Sequence, residues 1–140
     1  MFLKITTHKL NEKNELHCED GPAVEYENGT QVWYLNNQLH REDGPAFNSK
    51  TYKAWYKHGQ RHRENGPAIE YPDGLIEYYI NDKKHRLDGP AVIYPDGEAE
   101  YWINNVKYDP KSEEYKLQKT ICEVAAKPDA IFTYDFLNEL

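Results

Sequence analysis

The chain has 140 residues, a formal net charge of −7 and a mean hydropathy of −0.97, so its size favours one domain and excludes a multidomain enzyme. Its 12 Tyr, 4 Phe and 3 Trp exclude a disordered polar chain, which carries far fewer rings. No stretch approaches the roughly 20 apolar residues that span a bilayer, and the acidic balance argues against DNA or anionic membrane as a partner. We therefore expect a cytoplasmic protein that meets no membrane and no nucleic acid.

The first segment, residues 1–15, is predicted to be an N-terminal capping strand. Leu3 and Ile5 alternate with Lys4 and Thr6, which is the period of a strand with one apolar face. A stack of repeats needs a cover of this kind at its open end.

Residues 16–108 contain four copies of one unit, in which Gly-Pro-Ala recurs at spacings of 23, 22 and 23 residues. A histidine precedes each copy, and a short strand pattern follows it. Next come a turn, with Asn-Gly or Asp-Gly in three copies, a strand with two adjacent aromatic residues, and a second turn. Each copy predicts a β-hairpin with a connecting loop. The histidines are His17, His40, His62 and His85, and the tripeptides begin at Gly21, Gly44, Gly66 and Gly89.

Hairpins of this size cannot bury an apolar face alone, so the copies should stack. We predict a mainly β fold of four stacked β-hairpin repeats, arranged as an open sheet or a solenoid, with a small helical cap at the C-terminus. Adjacent residues on a strand face opposite sides, so each aromatic pair should place one ring on each side of the sheet. One ladder of rings should then be core and the other at least partly exposed.

Residues 109–140 are predicted to form the helical C-terminal cap. Asp109 is the expected N-cap and Pro110 suits the first helical position. An apolar face of helical period continues until Pro128. A second short helix is expected over residues 129–137, where two phenylalanines stand one turn apart.

The repeat unit resembles the MORN repeat in a variant form. Leu39 to Ala46 reads Leu-His-Arg-Glu-Asp-Gly-Pro-Ala, and is similar residue for residue to the unit of a group of bacteriophage and large-virus proteins. The likeness covers about residues 16–108, although the Gly-x-Trp and Gly-x-Gly elements of ordinary MORN repeats are missing. The resemblance implies a small viral accessory protein that binds a host component in the cytoplasm of the infected cell.

The periodic histidines could be interpreted as a metal ladder. Stacked repeats, however, place equivalent positions roughly 5 to 10 Å apart, too far for successive imidazoles to share one zinc ion. We therefore expect the His and Asp side chains to hydrogen-bond the loop backbone. Cys18 stands where the other copies have arginine, and Cys122 lies on the apolar face of the predicted helix. The sequence predicts no catalytic residue, no metal, no cofactor and no enzymatic activity.

The favoured function is a non-enzymatic interaction module that binds a host protein, with a defence protein as a candidate, and inhibits or modulates it. Exposed rings rimmed by charge are typical of binding patches, so the partner is expected on the exposed aromatic ladder. The candidate partner-binding residues are Trp33, Tyr34, Trp55, Tyr56, Tyr79 and Trp102.

Three alternatives stay open. The second repeat alone is basic, and its cations interleave with rings, which favours sequestration of a small anionic nucleotide. The regular Glu and Asp positions could instead mimic a nucleic-acid backbone, or sheet edges could pair into a homo-oligomer. The candidate anionic-ligand residues are Lys53, Lys57, Arg61 and Arg63.

Overall fold

The fold consists of 16 strands and one helix within residues 3–127, the part of the chain that the computed structural model describes. The strands and the helix are β1 (Ile5–His8), β2 (Val24–Tyr26), β3 (Gln31–Val32), β4 (Tyr34–Leu35), β5 (Gln38–Leu39), β6 (Phe47–Asn48), β7 (Lys53–Ala54), β8 (Tyr56–Lys57), β9 (Gln60–Arg61), β10 (Ile69–Glu70), β11 (Ile76–Glu77), β12 (Tyr79–Ile80), β13 (Lys83–Lys84), β14 (Val92–Ile93), β15 (Ala99–Ile103), β16 (Val106–Tyr108) and α1 (Glu113–Ala125).

Ten strands form one open antiparallel sheet in chain order, β1-β2-β3-β6-β7-β10-β11-β14-β15-β16. Each repeat contributes a pair of these strands, for example β6 and β7, in which Phe47 lies opposite Ala54. The mainly β class and the stacked hairpin repeats are confirmed. Of the two predicted arrangements, the open sheet is the one observed.

The other six strands form three small hairpins, β4–β5, β8–β9 and β12–β13. In the first repeat the strand stops at Val32 and resumes at Tyr34, with Trp33 at the break. The Trp33 N–H donates to Ala46, and its carbonyl accepts from His40, so both backbone groups leave the sheet ladder. The prediction of a single aromatic strand is therefore wrong in the first three repeats. Only in the fourth does one strand, β15, run through.

Both predicted turns of the repeat are present. At the tip of the first small hairpin, Asn36 and Asn37 have φ values of 48° and 64°, the left-handed pair that a type I′ turn needs. At the tip between β2 and β3 only Gly29 has positive φ, at 86°. There the Asn28 side chain instead accepts the N–H of Thr30 at 3.0 Å.

The core is thin and runs along the repeats. The four alanines of the Gly-Pro-Ala tripeptides have exposed fractions between 0% and 1%, because the backbones approach closely there. One core cluster joins Ala54, Ala68, Ile69 and Tyr79, so a ring from a small hairpin packs onto residues of the long sheet. The largest fully buried side chains in the described residues are only Ile103 and Val92.

The two ends of the array are closed differently. At the N-terminal end β1 pairs with β2, although Leu3 and Ile5 remain 52% and 49% exposed. At the other end the ring of Tyr115 in α1 packs against Tyr101 and Tyr108, with centroid distances of 5.6 and 6.0 Å.

The helix begins later than the sequence predicts. Its N-cap is Ser112, whose Oγ accepts the N–H of Tyr115 at 3.1 Å. The predicted cap, Asp109, closes the preceding turn instead by accepting the N–H of Lys111 at 2.9 Å. The predicted helix over residues 129–137 lies outside the described residues. Within residues 3–127 no helix combines the length and apolarity that a membrane crossing requires.

Candidate functional site

Four junction loops, residues 17–23, 40–46, 62–68 and 85–91, connect successive hairpins. Each begins with a predicted histidine and ends with the buried alanine. In the second loop the Arg41 N–H donates to the Tyr56 carbonyl at 3.2 Å, and the Ala46 carbonyl accepts from Trp33 at 2.7 Å. Equivalent bonds hold the other three loops. The backbone therefore fixes each loop between the hairpin before it and the hairpin after it.

Each loop histidine binds the turn of the hairpin that follows. Nδ1 of His40 accepts the N–H of His58 at 3.0 Å, and the other three histidines make the equivalent bond at 3.1 Å. This bond requires an unprotonated Nδ1, so the proton lies on Nε2. The histidines do bond the backbone, but the prediction that they bond the loop's own backbone is wrong, because each binds the turn of the next hairpin.

The arginine of the second loop lies between an aromatic ring and a glycine. The Cζ of Arg41 is 3.9 Å from the centroid of the Trp33 ring. A Cβ added to Gly44 would lie 2.8 Å from the same Cζ. Arg41 Nη1 donates to the Pro45 carbonyl at 3.2 Å, and Nε donates to Asp43 at 2.9 Å. That hydrogen bond and the guanidinium charge hold the pKa of the Asp43 carboxyl below its ordinary value. Gly44 is glycine because a side chain would displace the guanidinium.

The third and fourth loops repeat this sandwich. Arg63 lies 3.9 Å from the Trp55 ring centroid, and Arg86 lies 4.1 Å from that of Tyr78. A Cβ added to the glycine of the third loop would lie 2.9 Å from the Cζ of Arg63, and one added to the glycine of the fourth loop would lie 3.1 Å from the Cζ of Arg86. The third loop has asparagine in place of the aspartate, and there Arg63 pairs with Glu70 at 2.9 Å. A ring, a guanidinium and a glycine are therefore stacked at three junctions.

The first junction keeps the backbone bonds and changes the side chains. Lys9 stands where the later junctions have a ring, and Cys18 stands where they have arginine. Lys9 Nζ lies 3.5 Å from Cys18 Sγ, and the thiol donates to Asp20 at 3.2 Å, which lowers the pKa of that carboxyl. A Cβ on Gly21 would meet only this sulfur, at 4.0 Å. Among residues 3–127 no group of three His, Cys, Asp or Glu side chains could hold a metal ion.

Consecutive junction loops enclose a row of three grooves, which we call the junction grooves. Their volumes are about 580, 540 and 540 Å³. The first ring of each repeat lines one groove: Trp33 in the first, Trp55 in the second and Tyr78 in the third. The guanidinium stacked on that ring and the histidine beside it line the same groove. One groove design therefore recurs with the period of the sequence.

Exposed acidic side chains line each junction groove. Glu19, Glu42 and Glu64 occupy the same loop position, with side chains that are 85%, 71% and 72% exposed. Arg41 and Arg86 are paired with an aspartate of their own loops, and Arg63 is paired with Glu70 of β10. The first groove is therefore acidic, with four carboxylates against one guanidinium, whereas Lys57 and two guanidinium groups offset the three carboxylates of the second.

The six candidate partner-binding rings are all half-buried or buried. Trp33 and Trp55 line the first two junction grooves, and Tyr56 lines the second beside Trp55. Tyr79 is 5% exposed and belongs to the core cluster. The rings therefore do not separate into a core ladder and an exposed ladder, because a guanidinium covers the first ring of the first three pairs and Tyr115 packs against that of the fourth. The half-buried Tyr34 begins β4, and the half-buried Trp102 lies within β15. Neither residue lines a junction groove.

The four candidate anionic-ligand residues do not form one cluster. Lys57 and Arg63 line the second junction groove, whereas Lys53 lies on the long sheet beside a separate cavity. Arg61 pairs with Asp82 and stacks on the Tyr79 ring, 4.1 Å from its centroid. Arg61 and Arg63 therefore already have carboxylate partners.

The sequence reasoning did not identify the arginine sandwich. The sequence does contain a signal for it. At three junctions the arginine follows the ring by eight residues, and at the first junction both the ring and the arginine are replaced. The sequence reasoning placed Tyr52 among the rings of the basic second repeat, but it did not identify Tyr71, which lines the cavity beside Lys53 together with Tyr52. Those two rings lie in different repeats and meet only because β7 pairs with β10.

Comparison of the chain with protein-family models, with curated proteins and with solved structures finds no match. The function is therefore argued from the geometry of these residues.

Proposed function

We propose that the chain is a non-catalytic binding module whose partner is another protein, held along the row of three junction grooves. The observation that carries this proposal is the recurrence of one groove, lined by an aromatic ring, a guanidinium and an exposed glutamate, at three successive junctions. Repeat arrays use such series of equivalent sites as extended binding surfaces. An extended segment of the partner would place successive side chains in successive grooves.

The charge of the first junction groove favours a basic partner segment. The exposed carboxylates of Glu19, Glu42 and Glu64 would attract Lys and Arg side chains and speed association. The half-buried rings of Trp33 and Trp55 offer apolar surface below them, and such rings carry much of the binding energy at interfaces. A segment that alternates basic and apolar side chains fits both features.

The polar groups of the grooves support a binding role rather than a catalytic one. Each histidine uses Nδ1 to accept a backbone N–H, and Arg41 is engaged with a ring, a carbonyl and a carboxylate. A general base or an activated nucleophile needs a group that is free to exchange protons with a substrate. These side chains instead stabilise the groove.

The predictions about the partner's identity, the source of the chain and its oligomeric state stay predictions from the sequence. That the partner is a host defence protein, and that the chain is a bacteriophage accessory protein, rests on the resemblance of the repeat unit. A homo-oligomer through β1 or β16, the edges of the long sheet, also stays a prediction.

A selection of displayed random peptides on the immobilised full chain tests the proposal. We expect enriched peptides that carry spaced Lys or Arg residues with apolar residues between them. Calorimetry should then show that the triple variant Glu19→Gln, Glu42→Gln, Glu64→Gln binds the best peptide roughly tenfold more weakly, since exposed charges contribute about 0.2 to 1 kcal/mol each.

A control triple variant makes the same charge change away from the junction grooves. Glu27→Gln, Glu98→Gln and Glu114→Gln alter exposed side chains outside the grooves, so binding should stay close to that of the unmodified chain. Equal weakening by both triple variants, or enriched peptides without basic residues, would contradict the proposal. If a DNA-binding protein proves to be the partner, competition between duplex DNA and the chain for that partner would favour the acidic-mimic alternative.

A further inference from the structure

A cavity of about 310 Å³ lies at the turn between β6 and β7, apart from the junction grooves. It is lined by Ser49, Lys50, Tyr52, Lys53, Glu70, Tyr71 and Pro72. Its volume is at the lower end of the range for small-ligand sites.

The cavity exists because the second repeat departs from the pattern of the others. Ser49 stands at the position that tyrosine occupies in the other three repeats, and the turn is one residue shorter. The Ser49 Oγ accepts the N–H groups of Thr51 and Tyr52, both at 3.2 Å, which shapes this shorter turn. The missing ring leaves the space beside Tyr52 and Tyr71 open.

Aromatic surface forms one side of the cavity. The Tyr52 ring stacks on Phe47 with a centroid distance of 4.6 Å and an interplanar angle of 16°. The Tyr71 ring lies 5.8 Å away from that of Tyr52, tilted by 35°. All three rings are half-buried, so packing within the protein holds them in place. Half-buried rings of this kind are suited to stacking a planar ligand.

Positive charge forms the other side. Lys50 and Lys53 are exposed, and within residues 3–127 neither ammonium group lies in a salt bridge. Glu70 lies opposite Lys53 in the strand pairing, but its carboxylate is paired with Arg63 at 2.9 Å. An anion at the mouth of the cavity would therefore meet two uncompensated lysines.

We propose that this cavity binds a nucleoside monophosphate, with the base on the Tyr52 and Tyr71 rings and the phosphate at Lys50 and Lys53. Stacking on aromatic side chains accepts any base, and lysines bind phosphate as point charges. The site lies beyond the proposed protein-binding grooves. Of the four anionic-ligand residues that the sequence predicts, it retains only Lys53.

Calorimetry on the full chain with AMP, adenosine and inorganic phosphate tests this site. AMP should bind saturably. Adenosine and phosphate should each bind at least about tenfold more weakly than AMP, because each keeps only one half of the contacts. No saturable binding of AMP at millimolar concentration would overturn the proposal. Phosphate binding as tight as AMP binding would also overturn it, since the rings would then contribute nothing.

Two variants borrow residues from other repeats, where the same fold accommodates them. Tyr52→Leu installs the residue found at the equivalent position 75, and Lys53→Gln installs the residue found at position 31. Each should raise the Kd for AMP by roughly tenfold. Lys83→Gln makes the same charge change at an exposed position outside the cavity and the grooves, and should leave AMP binding unchanged. Equal weakening by Lys83→Gln and Lys53→Gln would show nonspecific attraction and contradict the site.

Nuclear magnetic resonance of the unmodified chain provides a readout that needs no variant. AMP should shift the ring resonances of Tyr52 and Tyr71 and leave those of Trp33 unaffected. Shifts confined to the junction grooves would contradict the proposed location. The groove triple variant should bind AMP normally, so failure of the protein-binding proposal and failure of this one are distinguishable.

Discussion

The first junction and the three later ones share a backbone and differ in their side chains. Lys9 donates its N–H to Ala23 at 2.7 Å, just as Trp55 donates to Ala68 at 2.8 Å. Yet only the later junction places a guanidinium on a ring, 3.9 Å from its centroid. The comparison shows that backbone bonds are enough to shape the loop. The sandwich therefore adds stability and a rigid groove floor rather than the loop conformation itself.

The histidines offer the largest expected difference between the junctions. His40 is 6% exposed and His17 is 21% exposed, although each accepts one turn N–H. His40→Ala leaves the His58 N–H without its partner and opens a buried gap, so the free energy of unfolding should fall by about 2 to 3 kcal/mol. His17→Ala should cost about 1 kcal/mol, since water can reach the freed donor more easily. Urea denaturation of both variants measures this, and equal losses would contradict the account.

Alanine substitution of the loop glycines should give the next largest effect. Gly66→Ala places a Cβ 2.9 Å from Arg63 Cζ, which must leave the Trp55 ring, at a cost of about 1 to 2 kcal/mol of unfolding free energy. At the first junction Gly21→Ala meets only sulfur at 4.0 Å, so stability should stay within about 0.5 kcal/mol. Thermal and urea unfolding provide the comparison. A Gly21 variant as unstable as the Gly66 variant would mean that the glycines serve the backbone, not the arginine.

The smallest expected effect concerns pH at the last junction. Burial lowers the pKa of His85, and the hydrogen bond with the Asn104 side chain opposes this shift only in part. As pH falls through the ordinary histidine pKa, the unfolded chain takes up a proton before the folded chain does, so stability decreases. His85 should therefore contribute a loss below about 1 kcal/mol between pH 7.5 and 5.5. His85→Gln, whose carbonyl can still accept the N–H of Asn104, should flatten this part of the profile. An unchanged slope would contradict the assignment.

The sequence predicts the repeat period, the strand class and the turn positions because each follows from local residue chemistry. Asn36 and Asn37, for example, tolerate positive φ, and their neighbours alternate. The break at Trp33 could not be predicted, because alternation continues through it while its backbone groups bond to residues far along the chain. The helix start was misplaced for a similar reason, since Asp109 and Ser112 are both good caps and only the packing of Tyr115 selects between them.

The candidate site was predicted only in part for a related physical reason. The sequence identified the rings and the histidines, but burial of Trp33 depends on the Arg41 side chain folding back over it. This contact joins two residues across a loop, so the periodic spacing of apolar residues along the strands does not reveal it. The cavity beside Tyr52 likewise depends on the absent ring at Ser49, a feature visible only when the repeats are superposed.

A double-mutant cycle at Trp55 and Arg63 tests the central claim, that ring and guanidinium stabilise each other at the later junctions. The free energy of unfolding is measured for Trp55→Leu, for Arg63→Gln and for the double variant, so that the bonds of Arg63 to Pro67 and Glu70 cancel. We predict a favourable coupling of about 1 kcal/mol, and a coupling near zero for the cycle Lys9→Leu and Cys18→Ala at the first junction. Additive losses at Trp55 and Arg63, or equal couplings at the two junctions, would contradict the claim.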